Sequence, residues 1–193
     1  MAKFDSAEKL NLADIEITDV MTGDRDKRMF LYYQLIHSLK KAERVDIIVS
    51  FLMESGVKML LRELGNALDR GAKIRILTGN YLGITQPSAL YLIKQKLGDR
   101  VDLRFYNEKN RSFHPKSYIF HYADYSEIYI GSSNISRSAL TSGIEWNYRF
   151  RNTSDAKNYE KFFHTFEELF ENHSIVIDCE ELNRYSKKRN RPA

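Results

Sequence analysis

The stretch Val45-Asp46-Ile47-Ile48-Val49-Ser50-Phe51 is followed by Glu54 to Arg70, which stops at Gly71, and then by Ala72-Lys73-Ile74-Arg75-Ile76-Leu77-Thr78. The first run is short and β-branched, as a buried strand requires. The second has helical length and ends at the residue that most easily takes the left-handed terminal conformation. The third alternates with the period of a strand. A helix from about Pro87 to Leu97, ending at Gly98, and a strand from Val101 to Tyr106 continue the alternation. Strands and helices in this order read as βαβ units, with helices covering a sheet of parallel strands.

Beyond Tyr106 the pattern changes. Lys116 to Tyr122 and Ile128 to Gly131 are strands close enough to form a hairpin across Ala123-Asp124-Tyr125-Ser126, and Ile144 to Phe150 is a third strand. Upstream, Phe30, Tyr33, Ile36 and Leu39 mark a helix from about Asp24 to Ala42. Downstream, Phe162, Phe163, Phe166, Leu169 and Phe170 mark an amphipathic helix over Asp155 to Asn172, capped by Thr153 or Ser154. The expected fold class is α/β, an α/β/α sandwich on a mixed, largely parallel central sheet. One domain is expected over residues 1–183. The basic run Arg184 to Arg191 reads as solvated, so 184–193 is expected to be a tail or the start of a linker to a further region.

Composition excludes several classes. The chain has 193 residues, 42% of them hydrophobic, with 12 Tyr and 11 Phe, which suits one real core and argues against disorder. No apolar run reaches the roughly 18 residues of a membrane span, and the charged start does not read as a signal peptide. A single cysteine, Cys179, cannot form an internal disulfide and is most simply a structural thiol. A soluble, cytoplasmic protein is expected. The net charge of +4 is too small to name a partner.

The chemistry concentrates in Phe113-His114-Pro115-Lys116, Gly131-Ser132-Ser133-Asn134 and Gly143-Ile144-Glu145-Trp146-Asn147. Residues two apart on a strand share a face, so the His114 imidazole and the Lys116 ammonium are expected side by side. Gly131 to Asn134, between a strand and a short helix, offers N–H groups, hydroxyls and an amide to an oxyanion. Glu145 is placed to accept a bond from the far nitrogen of His114. Together these are a nucleophile, stabilisers of phosphoryl charge and an orienting carboxylate, the parts for attack on a phosphodiester.

His-x-Lys, then Gly-Ser-x-Asn, then Glu about eleven residues on resembles the HKD motif of the phospholipase D superfamily, in particular its single-motif nuclease branch. Leu77 to Thr85 and Gly131 to Glu145 also resemble the phospholipase D-like module at the N-terminus of some bacterial DEAD/DEAH-box helicases. The resemblance implies that His114 is the nucleophile and forms a phosphohistidine. It implies that Lys116 and Asn134 bind phosphate oxygens, that Ser132 adds a hydrogen bond and that Glu145 orients His114. Ser133 and Arg137 are further candidates for substrate contact. A second histidine must protonate the leaving oxygen, so one motif per chain implies a homodimer sharing one site. No metal or other cofactor is implied, and helicase domains C-terminal to this region are a candidate partner. One position departs: the family pattern has Asp where this chain has His121.

The reading is therefore a metal-independent phosphodiesterase acting on nucleic acid, expected to be DNA. The alternative is a non-catalytic DNA-binding or dimerisation module with a degenerate site, His121 being the hint. A lipid phosphodiesterase is weaker, because no amphipathic membrane anchor is seen. His37, His164 and His173 are expected to be solvated or capping residues, and His121 to point to the face opposite His114. Trp146 and Tyr81 are either core or base-stacking residues. Arg111, Arg137, Arg149 and Arg151 flank the motif and are candidates to track a phosphate backbone.

Overall fold

The β-branched run forms β2 (Arg44–Val49), and its side chains divide between two cores. Val45, Ile47 and Val49 enter one apolar cluster and Ile48 the other. A strand covered on both faces reads as a nearly continuous apolar run for this reason. The computed structural model describes residues 17–24, 29–80, 83–108 and 110–189. Among them, β1 (Val20–Met21) and α1 (Leu31–Leu39) precede β2, and α2 (Glu54–Asp69), β3 (Lys73–Gly79), α3 (Pro87–Leu97) and β4 (Val101–Tyr106) follow it. Then come β5 (Lys116–His121), β6 (Ser126–Gly131), α4 (Arg137–Thr141), β7 (Asn147–Arg151), α5 (Ala156–Asn172), β8 (Ser174–Val176) and α6 (Cys179–Arg189).

The strands form one sheet in the order β1-β7-β6-β5-β2-β3-β4-β8. Leu35 of α1, Leu60 of α2, Leu90 of α3 and Leu182 of α6 pack on one face, and Tyr159, Phe166 and Phe170 of α5 on the other. This is the expected α/β/α sandwich on a mixed sheet. Parallel pairing, however, is confined to β2–β3 and β3–β4. The remaining pairings are antiparallel, because β5, β6 and β7 follow one another without crossover helices and β1 and β8 are short edge strands. The sheet is therefore mixed rather than largely parallel.

Several boundaries differ from expectation: β6 begins earlier, at Ser126, and β7 later, at Asn147. Helix α1 starts at Leu31, with Phe30 extended before it; residues 25–28 lie outside the described residues. The cap of α5 is Asp155, which accepts from the Asn158 N–H at 3.3 Å, whereas the Ser154 hydroxyl is taken by the Arg151 carbonyl. The basic run through Arg189 is not a solvated tail but part of α6. Tyr185 is buried against Phe105, with ring centroids 4.8 Å apart, and its hydroxyl donates to the Thr85 carbonyl at 2.7 Å. Residues 190–193 lie outside the described residues. Cys179, at the start of α6, is exposed rather than part of the core.

Asp46 interrupts the apolar run of β2 and is fully buried on the α5 face. Its carboxylate accepts from Arg75 Nε at 2.7 Å and from His121 Nε2 at 2.8 Å, and Arg44 lies 3.0 Å away. Glu167 of α5 closes the cluster by bonding both arginines. Burial alone would raise the Asp46 pKa, but the bonds from His121 and Arg75 and the charges of Arg75 and Arg44 outweigh it and hold the carboxyl at about 2. The folded pKa lies below the unfolded value of 3.8, so the stability it contributes is complete above about pH 4 and is lost as pH falls through about 2. Urea unfolding between pH 7 and pH 2 is expected to show about 2 kcal/mol of such stability. The Asp46→Asn variant should lack this acid dependence and be destabilised by about 2 kcal/mol at pH 7, because the half-buried guanidinium groups of Arg44 and Arg75 lose one of their two counter-charges and keep only Glu167.

Candidate active site

The sheet directions bring the chemistry to one edge. Strands β2, β3 and β4 end there; β5, antiparallel to β2, begins there, with Lys116 opposite Val49. Strand β6 runs back to the same edge and β7 leaves it, with Gly131 opposite Asn147. The carboxyl ends of parallel strands, where the chain changes direction, are where α/β folds place their sites.

Lys116 opens β5 and is nearly buried, whereas His114, two residues earlier in the preceding loop, is exposed. Lys116 Nζ lies 2.6 Å from His114 Nδ1 and 3.2 Å from Nε2, and it donates to the His114 carbonyl at 2.9 Å. The expected side-by-side placement is thus present, although only Lys116 belongs to the strand. A cation that donates to an imidazole nitrogen needs the lone pair there, so the nitrogen facing Lys116 carries no proton. Burial pushes the Lys116 pKa down, and the charge of Glu145 opposes this.

The loop after β6 is held from below. The Phe51 N–H donates to Asn134 Oδ1 at 3.1 Å, which fixes the amide orientation and leaves the NH2 group as the donor the side chain can offer. Leu52 and Ile135 form a parallel bridge, and the Met53 N–H donates to the Ile135 carbonyl at 2.9 Å. Helix α2 fits against this loop because residue 56 is glycine: a Cβ there would sit 2.5 Å from the Ile135 carbonyl carbon. Gly131 is required for the same reason, since its Cβ would sit 2.1 Å from the Trp146 carbonyl oxygen.

The other candidates separate into two groups. The Ser132 hydroxyl donates to Glu145 and accepts from the Trp146 N–H at 3.0 Å, which ties the two loops together. Among the described residues no hydrogen bond joins Glu145 to His114. Glu145 lies in the loop before β7, not on the strand, and it acts on Lys116 through its charge. Ser133 is fully buried; its hydroxyl donates to the Ala139 carbonyl at 3.3 Å and accepts from Asn147 Nδ2 at 2.9 Å. It therefore shapes the loop and does not face a substrate. Arg137 is exposed at the start of α4.

Arg149 and Arg151 do not serve the motif. Arg149 is buried and paired with Asp19 at 2.6 Å and Glu127 at 3.3 Å, and the Arg151 guanidinium lies over the Tyr125 ring. Trp146 is 72% exposed and so is not core, while Tyr81 lies outside the described residues. Sequence reasoning missed Phe51, Gly56, Tyr118 and Asn147. Tyr118 shares the Lys116 face, and its hydroxyl donates to the Ser133 carbonyl at 2.9 Å. Its position two residues from Lys116 was the available signal; for Phe51, which acts through its backbone, there was none. The site offers cationic and amide donors, and no group of three or more His, Cys, Asp or Glu among the described residues is arranged to hold a metal ion.

Residues 35–167 match the family described as the cardiolipin synthase PLD-like domain. The chain belongs to the phospholipase D-like family. The same fold is found in Nuc from Salmonella typhimurium, a phospholipase D family member, at 18% identity and TM-score 0.62, covering 82% of this chain and 95% of that one. NucT from Helicobacter pylori aligns at 17% identity and TM-score 0.63, over 82% and 97% of the two chains. Phosphatidylserine synthase from Haemophilus influenzae aligns at 13% identity and TM-score 0.56, over 87% of this chain and 43% of its own. No curated protein matches the chain.

In this phospholipase D-like chain the Gly131 approach is the most exacting requirement of the site. Gly131→Ala is expected to lower stability by about 2 kcal/mol, a fall in Tm of roughly 4–8 °C by calorimetry. Accommodating the added methyl requires the Trp146 carbonyl and the β7 entry to move outward, so no wild-type-like Tm is expected.

Proposed function

We propose that the chain is a phosphodiesterase that cleaves nucleic acid, DNA in the first instance, with His114 as nucleophile. The observation that carries this reading is the Lys116 ammonium 2.6 Å from His114 Nδ1, at the sheet edge where the Phe51 N–H orients the Asn134 amide. When a phosphoryl oxygen replaces the imidazole as the partner of Lys116, the His114 lone pair is released to attack phosphorus. A P–N bond forms while the P–O bond to the leaving nucleotide breaks, and the departing oxygen takes a proton from a second imidazole. Lys116 and Asn134 stabilise the charge on the non-bridging oxygens. Water then attacks the phosphohistidine, with the second imidazole as base, and the P–N bond breaks. Glu145 balances Lys116 and holds Ser132 at the rim.

The other four histidines are placed elsewhere in the chain. His37 and His164 lie on α1 and α5, His121 is bonded to Asp46, and His173 lies between Glu108 and Glu168. The second imidazole is therefore assigned to a second copy of the chain across a two-fold axis. In support, Ile144 (84% exposed) and Trp146 flank Glu145, and exposed Tyr148 is paired in register with exposed Val20. Such an apolar patch beside the site suits an isologous interface. The likeness of Leu77 to Thr85 and Gly131 to Glu145 to helicase-borne modules supports a helicase region as the covalent partner. The exposed free thiol of Cys179 suits a reducing, cytoplasmic setting. No helix among the described residues is long and apolar enough to cross a membrane.

Two experiments test the reading. Purified protein in EDTA is expected to hydrolyse bis(p-nitrophenyl) phosphate and to cleave DNA, and His114→Ala to lose at least about 1,000-fold of the rate. Activity that needs a divalent ion, or that survives in His114→Ala, overturns the mechanism. Ile144→Asp with Tyr148→Asp is expected to give a monomer by light scattering and to abolish hydrolysis; an active monomer removes the shared site.

A further inference from the structure

A concavity of about 1210 Å³ lies at the same sheet edge, between the ends of β3 and β4, residues 107–108 and 110–113, and helix α6. Phe113 and Ser112 form part of its wall, so the chain passes directly from this cleft to His114. Its floor is apolar, with the Tyr106 and Phe113 rings stacked 4.6 Å apart. Its rim is basic. Arg184, Lys187 and Lys188 are exposed at i, i+3 and i+4 on α6, so they share one face of the helix, and Arg111 stands on the opposing loop. The helix is held in place by buried Leu182 and Tyr185 and by Arg189, which donates to the Gly83 carbonyl at 2.7 Å; Tyr185, Gly83 and Arg189 line the cleft as well.

The charge balance of the cleft is one-sided. Its two carboxylates are engaged, Glu108 by His173 at 2.8 Å and Glu181 by Arg184 at 2.5 Å. Among the described residues, Arg111, Lys187 and Lys188 form no ion pair. Unpaired cations on both rims of a groove keep a standing attraction for polyanions, and adjacent cations along a helix face suit successive phosphates better than one small anion.

We propose that this cleft is a second phosphate-binding site, which holds the backbone of a single nucleic-acid strand adjoining the phosphodiester at His114. The inference rests on the reading of His114 as a site for nucleic acid and adds the direction the strand takes from it: past Phe113 and along α6. Contacts of this kind give affinity and register without base preference.

The test is fluorescence anisotropy of a labelled 12-nucleotide single strand with the full chain in EDTA, over a series of salt concentrations. K187E with K188E is expected to weaken binding about tenfold and to reduce the slope of log K against log salt by about 1.4, at roughly 0.7 per lost phosphate contact. K187Q with K188Q loses the same two contacts without adding repulsion, so it should reduce the slope about equally and weaken binding by less, and it supplies the reading if the charge reversal impairs folding. K157E with K161E makes the same charge change on α5, across the sheet, and is expected to leave the slope as it is. Equal losses in the α5 and α6 variants, or no loss in the α6 variants, overturn the proposal. Hydrolysis of bis(p-nitrophenyl) phosphate by the unaltered protein is the separate control. Binding that depends on α6 without that hydrolysis removes the His114 mechanism and leaves the cleft; hydrolysis with binding that ignores α6 removes the cleft and leaves the mechanism.

Discussion

The antiparallel pairing of β5 against β2 is the constraint on which the site depends. With Val49 opposite Lys116, the strand that enters the edge at Lys116 lies directly beside the strand that leaves it at Ser50. The chain leaving β2 can then present its Phe51 N–H to Asn134 and its Leu52 backbone to Ile135, across a loop more than 80 residues away in sequence. Had β5 run parallel to β2, Lys116 would begin at the opposite edge from Phe51, and the hairpin would carry Asn134 there with it, out of reach of the Phe51 N–H. The hairpin to β6 and the turn into β7 then return the remaining groups to the same edge.

That arrangement concentrates cost as well as chemistry. A nearly buried ammonium loses hydration, and Lys116 recovers it through the His114 ring nitrogen, the His114 carbonyl and the field of Glu145. The loop of Gly131 to Asn134 is closely packed by backbone, because the approaches at Gly56 and Gly131 are closer than any Cβ allows. Within it the Asn134 amide is oriented by the Phe51 N–H, which donates to Oδ1. Stability is supplied elsewhere, by apolar clusters on both faces and by the buried ion cluster of Asp46 at the far end of β2.

The central elements were legible because their patterns were strong. The helix Pro87–Leu97 and the strand Val101–Tyr106 have the expected bounds, set by proline at the helix start, glycine after its end and clear alternation in the strand. β1 and β8 were not legible, since two- and three-residue strands carry no periodicity and exist only by pairing with β7 and β4. α6 was missed because its apolar face consists of Leu182 and Tyr185 amid charge, which composition alone reads as solvated. In the candidate site, His114, Lys116 and Asn134 were singled out by residue type and spacing, and the structure brings the ends of their strands to one sheet edge. Ser133 was misplaced as a substrate contact because adjacent serines are chemically alike, and only the backbone decides that Ser132 points outward and Ser133 inward.

His121 bears on the site less than its departure from the family pattern suggests. It closes β5 five residues beyond Lys116, about 16 Å away along a strand, and on the opposite face. There it donates to Asp46 of the neighbouring strand, beside Arg44 and Arg75. A carboxylate is thus present at that point of the sheet, supplied by Asp46 of β2. An imidazole in this position also links the cluster to Ser126 of β6 and to α5, through Tyr159 and an edge-on contact with Phe163. The departure changes how one layer is attached to the sheet, while His114, Lys116 and Asn134 keep a geometry set from the opposite end of the same strand.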